Sequence, residues 1–252
     1  MEYQKLEKDY PVHVYETGPD GRLNFHSLFD YFQDIASDHA VRLGFGRDDL
    51  LKQNHFWVLS RIYSEISLLP SWGETIILKT WPRGTDRLFA LRDYEARFPD
   101  GRIIAVATSS WLIIDRDTKR IQRPDNLRSS LNSDPSVENV LPRNSVKLEP
   151  ARSNGRTIPS FRVRVSDLDI NLHTNNTRYL KWITDSYDLD FMLNNVPLSA
   201  EINYLAESRF NDTISILITE DESGGNFFDH SIIRISDNTE LCRVRIRWGE
   251  KV

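Results

Sequence analysis

Ser166–Asp167–Leu168–Asp169–Ile170–Asn171–Leu172–His173–Thr174–Asn175–Asn176 places one imidazole, two carboxylates and three side-chain amides between two regular patterns. Before it, Phe161, Val163 and Val165 alternate with Arg162 and Arg164, which is the period of a strand. After it, Tyr179, Leu180, Ile183 and Tyr187 recur at helical spacing. The cluster therefore falls where a strand hands over to a helix. Backbone N–H groups lack partners at such a place, and negative charge can be stabilised there. A polar turn followed by an Asn-capped helix accounts for the amides by themselves.

Around this stretch the chain repeats itself. Val12–Tyr15 reads as a short strand, and Pro19–Asp20–Gly21 as a turn. Leu28, Phe32, Ile35, Ala36, His39, Ala40 and Leu43 then form one helical stripe. Ser27 and Asp30 have capping-box spacing at its start, and Gly44 stops it. Strand-like runs follow over Phe56–Leu68, Thr75–Trp81, Leu88–Phe98 and Arg102–Asp115. After a stretch holding Pro124, Pro135, Pro142 and Pro150, the order begins again. Phe161–Val165 is a strand, Thr177–Leu189 a helix, and Ala200–Arg209, Thr213–Thr219, Phe227–Ser236 and Leu241–Trp248 are strands. Leu23–Asn24–Phe25–His26 matches Ile170–Asn171–Leu172–His173, and Gly73–Glu74–Thr75–Ile76 matches Asn211–Asp212–Thr213–Ile214. The pattern predicts two copies of an α+β unit, with two long helices packed on one continuous antiparallel sheet. The expected division is residues 1–125, a linker over 126–155, and residues 156–252.

At 252 residues, 39% hydrophobic and 27% charged, the chain can bury a full core. No apolar run approaches the roughly 18 residues of a membrane helix, and the charged N-terminus has no apolar signal core. A single cysteine, Cys242, excludes an internal disulfide framework and points to the cytoplasm. The formal charge of −5 argues against a nucleic-acid binder. Two local basic sets remain: Arg143, Lys147, Arg152 and Arg156, and the alternating Arg243, Arg245 and Arg247. Each reads first as a solvated face.

The cluster is not a calcium loop, because Leu172 and Arg178 stand where such a loop needs Gly and Glu. No zinc spacing, nucleophile elbow or nucleotide-binding glycine fingerprint occurs. Acid–base activation of water remains. If the strand continues through them, Asp169, Asn171 and His173 share one face, and the next helical turn offers N–H donors. Glu207, in Ile202–Asn203–Tyr204–Leu205–Ala206–Glu207–Ser208, is a candidate second carboxylate, or else an ordinary exposed strand Glu.

These two segments resemble the acyl-acyl carrier protein (acyl-ACP) thioesterases. That family carries an L-D-x-N-x-H-x-N-N motif opening the helix of its second hotdog domain, matched here from Leu168 to Asn176 and followed by Tyr179 and Trp182. The family's later E-Y-R-R-E-C strand reads Asn203–Tyr204–Leu205–Ala206–Glu207–Ser208 here, with Ser208 at the cysteine. The resemblance implies a tandem (double) hotdog fold, with Asp169, Asn171, His173 and Glu207 as the catalytic set. The serine speaks against a Cys–His–Asn scheme and for carboxylate-assisted chemistry. The first copy, with Arg22 aligned to Asp169, is expected to be the acyl-binding half.

The function implied is hydrolysis of a fatty acyl-ACP thioester to free fatty acid, ending acyl-chain elongation. No cofactor or metal is expected, because water is the nucleophile. The partner is the acidic acyl carrier protein, docked on one of the basic sets. An acyl-CoA thioesterase on the same fold and a catalytically silent acyl-binding module are the alternatives. A chain starting almost directly at its first domain looks like a bacterial, cytoplasmic member, as monomer or homodimer.

Overall fold

Alternating apolar residues become strands, and each i, i+3, i+4 stripe becomes a helix lying on them. The computed structural model describes residues 5–124, 139–152, 154–221 and 225–251. The chain forms two compact units, Met1–Ser145 and Val146–Val252. Among the described residues, no helix is long and apolar enough to cross a membrane.

The first unit contains β1 (Leu6–Pro11), α1 (Phe25–Arg42), α2 (Arg47–Lys52), β2 (His55–Ile66), β3 (Thr75–Asp86), β4 (Phe89–Arg97), β5 (Ile103–Asp115) and β6 (Ile121–Gln122). Its strands are antiparallel in the order β1-β3-β4-β5-β2, with β6 against the end of β5. The expected stripe is the buried face of α1, and Phe32 packs on Tyr94 of β4 at 4.9 Å between ring centroids. Gly44 ends the helix in the left-handed region at φ 77°. The Phe45 N–H returns to the Ala40 carbonyl at 3.0 Å and that of Gly44 to Val41 at 3.1 Å, a Schellman closure.

Val12–Tyr15 is not a strand: β1 ends at Pro11, and Val14–Glu16 form a single 3-10 turn. Two further expectations shift here. The helix begins at Phe25 behind Asn24, so Ser27 is buried inside its first turn rather than capping it. Strand β3 does not stop at Trp81. It runs through Pro82 to Asp86, because a bulge between Pro82 and Gly84 absorbs the proline, which has no N–H for the ladder.

The second unit contains β7 (Arg156–Arg162), α3 (Asn176–Thr184), α4 (Leu189–Asn194), β8 (Asn195–Tyr204), β9 (Thr213–Glu220), β10 (Phe227–Arg234) and β11 (Thr239–Glu250). Its antiparallel order is β8-β11-β10-β9-β7. Helix α3 buries Tyr179, Leu180, Trp182 and Ile183. It ends at Thr184, short of the expected Leu189. The Ser186 N–H turns to the Ile183 carbonyl, and the Ser186 hydroxyl takes its place on the Trp182 carbonyl at 2.8 Å, while the Lys181 carbonyl keeps the Asp185 N–H and adds the Thr184 hydroxyl. Strand β8 also starts earlier and ends earlier than Ala200–Arg209, so Glu207 lies in the loop before β9.

The described part of the proline-rich linker is bonded to the strands at several points. Pro135 and the rest of 125–138, with residue 153, lie outside the described residues. In the first unit the Val140 N–H donates to Asp93 at 3.2 Å, and Ser145 meets Ser110 at 3.1 Å. In the second, the N–H groups of Val146, Leu148, Ala151 and Arg152 donate to Glu201, Asn203, Ser231 and Thr219. Asp93, Glu201 and Asn203 are almost wholly buried, on the strand face opposite the helix. Glu201 and Asn203 have linker amides as hydrogen-bond partners, and Asp93 has the Val140 N–H on one oxygen and Arg83 Nη1 3.6 Å from the other.

Candidate functional site

Residues 168–174 do not continue β7 as a strand. They close a turn: Leu168 bridges Thr174, the Asp169 N–H donates to the His173 carbonyl at 2.8 Å, and that of Leu172 to Asp169 at 3.0 Å. Leu172 takes φ 62° to make the bend. Asp169, Asn171 and His173 are thus brought together by a bend rather than by strand alternation. The Asp169 carboxylate is the centre of that bend. Its Oδ1 accepts from the Asn171 and His173 N–H groups at 2.8 and 3.1 Å, and its Oδ2 from the Asn171 side-chain amide at 3.3 Å. Both oxygens are therefore engaged within the turn.

His173 also bridges Arg209 in the loop after β8. This pairing brings the two quoted segments together and sets His173 Nε2 3.3 Å from Glu207 Oε2, with the side chains 30% and 47% exposed. All four candidates, Asp169, Asn171, His173 and Glu207, therefore belong to one constellation. It offers an accessible imidazole–carboxylate pair, the imidazole on a turn that its own aspartate holds shut and the carboxylate on the loop after β8.

Ser208 faces away from that pair. It is fully buried, donates to the Thr174 hydroxyl at 2.7 Å and lies 2.9 Å from the Tyr179 hydroxyl. Its N–H reaches the same phenol at 3.2 Å, and its carbonyl accepts from Thr174 at 2.9 Å. Burial pushes the Tyr179 phenol well above its usual range, so it stays a neutral donor and acceptor. Ser208 is a knot between turn, helix and loop, held by hydroxyls rather than by a base that could activate it. Cys242 is equally removed, fully buried in β11 with its thiol pushed up by burial.

Two expected donors for a developing oxyanion were the N–H groups around Asn175 and Asn176. The Asn175 N–H is occupied by the Asp167 carbonyl at 2.8 Å, and the Asn175 side chain caps α3 by accepting from Thr177. The first-turn amide of Asn176 has no acceptor among the described residues.

The first unit builds the same turn, in a different register from the one expected. Thr17 bridges Leu23 as Leu168 bridges Thr174. Gly18 donates to Arg22 at 2.8 Å as Asp169 does to His173, and Asn24 donates to Glu16 as Asn175 does to Asp167. Gly21, at φ 73°, stands where Leu172 stands. The equivalents are therefore Gly18 for Asp169, Asp20 for Asn171 and Arg22 for His173. Asn24 matches Asn175, not Asn171, and Arg22 is not the counterpart of Asp169. The Leu23 N–H donates to Pro70 as that of Thr174 does to Ser208, which puts buried Leu69 at the place of Glu207. The match of Gly73 to Asn211 stands: both have positive φ and donate to the equivalent Val12 and Val163 carbonyls.

Arg243 and Arg245 are used within the sheet. Arg243 Nε donates to Glu240 at 2.8 Å, and Arg245 forms two 2.7 Å bonds to Asp229, its cross-strand neighbour. Arg247 lies over the Phe227 ring. Sequence reasoning missed Arg234, whose Nη1 donates to the Glu207 carbonyl at 2.9 Å. Nothing in its spacing from Glu207 marks it; only the pairing of β9 with β10 brings it there.

A family model described as the acyl-ACP thioesterase N-terminal domain matches residues 3–130, and one described as the C-terminal domain matches 151–250. A chloroplastic palmitoyl-acyl carrier protein thioesterase of Gossypium hirsutum is 27% identical over 98% of the chain. The chain spans 64% of that relative's length. Oleoyl-acyl carrier protein thioesterase 2 of Arabidopsis thaliana is 24% identical over 97% of the chain and 77% of its own. The crystal structure of an acyl-ACP thioesterase from Bacteroides thetaiotaomicron aligns at a TM-score of 0.88 and 24% identity, covering 98% of this chain and 99% of that one. The 12:0-ACP thioesterase of Umbellularia californica gives 0.83 at 23% identity, covering 98% of each chain. These likenesses show the double hotdog fold. With the two family models matched in order along most of its length, the chain belongs to the acyl-ACP thioesterase family.

Proposed function

We propose that the protein hydrolyses the thioester of a fatty acyl-acyl carrier protein, releasing free fatty acid and ending acyl-chain elongation in fatty-acid synthesis. The observation that carries the reading is the accessible His173–Glu207 pair at 3.3 Å, formed between the turn that bears the family motif and the loop after β8. In this mechanism Glu207 takes the proton of a water whose oxygen attacks the thioester carbonyl carbon. The C–S bond then breaks, and His173 carries the proton to the departing thiolate. The Asn176 N–H at the start of α3 stabilises the oxyanion. Asp169 and Asn171 hold the turn, a division of labour supported by the occupied oxygens of Asp169.

The second unit is read as the catalytic half and the first as the acyl-binding half. Gly18, Arg22 and Leu69 support this, since they leave the first turn without the acid–base pair. An acidic carrier protein is matched by exposed Lys147, Arg152 and Arg156, because two of the three β11 arginines already pair with carboxylates. A reducing, cytoplasmic compartment fits a single, buried thiol.

The test is release of free thiol from a panel of acyl-ACPs and acyl-CoAs. Release from acyl-ACPs at higher kcat/KM than from the CoA esters is expected. Preference for the CoA esters would replace the carrier, and binding without turnover would remove the enzyme reading.

A further inference from the structure

Glu207 sits on a loop, and its side chain is nearly half exposed. A carboxylate in that setting reaches a fixed point only if the peptide carrying it is fixed. The preceding N–H groups, of Leu205 and Ala206, both donate to the Leu241 carbonyl at 2.9 and 3.2 Å. The following residue is Ser208, tied to Thr174 and Tyr179. The carbonyl of Glu207 itself accepts from Arg234 Nη1 at 2.9 Å.

Arg234, the last residue of β10, is itself held. Its Nε and Nη2 donate to the two oxygens of Asp237 at 3.0 and 2.8 Å, a bidentate fork. Its Nη1 also lies 3.5 Å from Asp212 Oδ2. That same oxygen accepts the Arg209 N–H at 2.8 Å, on the residue that bridges His173. One guanidinium thus ties the peptide of Glu207 and the peptide next to His173 to the end of a sheet strand. The equivalent loop of the first unit has Leu69 in place of the glutamate, so there is no carboxylate there to aim.

We propose that Arg234 is a positioning residue for the reaction, holding the Glu207 peptide so that its carboxylate meets His173. The inference rests on the functional reading above for its kinetic consequence, though not for its geometry. A displacement of about 1 Å in such a pair is enough to lower turnover by about 100-fold. Substrate binding need not change, because Arg234 reaches the pair only through backbone.

The experiment compares wild type, Arg234→Gln, Arg234→Lys, Asp237→Asn and Glu207→Gln. It uses steady-state thiol release, the His173 imidazole resonances by NMR, and thermal unfolding. Expected for Arg234→Gln is a fall in kcat of about 10- to 100-fold, with KM within about twofold. Arg234→Lys, which keeps a charged donor, should recover part of it. Asp237→Asn, which leaves the donor to Glu207 in place, should lose less. The His173 resonances of Arg234→Gln should move away from wild type towards those of Glu207→Gln. The proposal is overturned if those resonances coincide with wild type. It is equally overturned if activity per folded molecule is unchanged and only the melting temperature falls. Wild type that releases no thiol while the resonances still move would remove the thioesterase reading and leave the positioning role standing.

Discussion

The chain builds one turn twice and gives only one copy chemical equipment. Both turns are closed by the same backbone bonds, both lead into a helix behind an asparagine, and both place a left-handed residue at the bend. In the first, Gly18, Asp20, Arg22 and Leu69 occupy the places that Asp169, Asn171, His173 and Glu207 occupy in the second. The backbone architecture therefore does not require the acid and the imidazole. In the first unit glycine makes the bend with no strain, whereas in the second Leu172 makes it at φ 62° with the Asp169 carboxylate bracing two N–H groups. The side chains that differ are the ones to which the proposed mechanism gives roles.

The sharpest way to break this comparison is to empty each turn in parallel. His173→Ala should lower kcat by about 10²–10⁴-fold, the range of a lost general acid–base group, and Arg22→Ala should leave it within about twofold. Equal losses in the two variants, measured on one acyl-ACP, would contradict the division between units. Asp169 refines it. Asp169→Asn retains an acceptor for the turn amides and should keep the melting temperature near wild type. Asp169→Ala should lose about 1–2 kcal/mol in denaturant unfolding, as a lost cap does. If Asp169→Asn is as inactive as His173→Ala, its charge takes part directly in the reaction.

Each unit buries a histidine, His39 on α1 and His230 on β10, and these too differ. His39 Nδ1 meets Arg92 Nη1 at 2.9 Å. His230 Nδ1 donates to the Val244 carbonyl, leaving Nε2 to accept from the Tyr187 hydroxyl. Burial pulls His230 from 6.5 down to about 4. The folded protein thus binds this proton more weakly than the unfolded chain does, so its contribution is full above pH 6.5 and is lost as pH falls towards 4. The loss amounts to about 3 kcal/mol. Denaturant titrations at stepped pH should show it, and His230→Gln should flatten that slope.

Smaller still is Leu172→Gly, which copies Gly21 into the second turn. Leu172 is 71% exposed, so little burial is lost, and relief of the left-handed strain should stabilise by about 0.5–1 kcal/mol. A lower melting temperature would show that the side chain contributes packing to the bend.

Much of this was legible in the residues. The α1 stripe and its Gly44 stop, the doubled order of elements, and the approach of Glu207 to the motif turn all follow from pattern and resemblance. What stayed hidden depends on contacts far apart in sequence. The Asn-x-His match at Asn24 and His26 misplaced the repeat, because the turns are aligned by backbone closure and by Gly21, not by the shared amide. Asp93, Glu201 and Asn203 look like solvent-facing strand residues until the linker lies on them. Arg245 looks like surface charge until strand register sets Asp229 opposite it. The Ser186 hydroxyl takes the Trp182 carbonyl where apolar spacing alone continues α3.

The central claim is that Glu207 and His173 act together on the thioester. Single-turnover thiol release from acyl-ACP by Glu207→Gln, beside wild type, tests it most directly. The substitution keeps the side chain's size and removes the carboxylate's capacity to take a proton. A rate lowered by about 10²–10⁴-fold with substrate still bound is the result expected. Wild-type turnover in that variant would contradict the account.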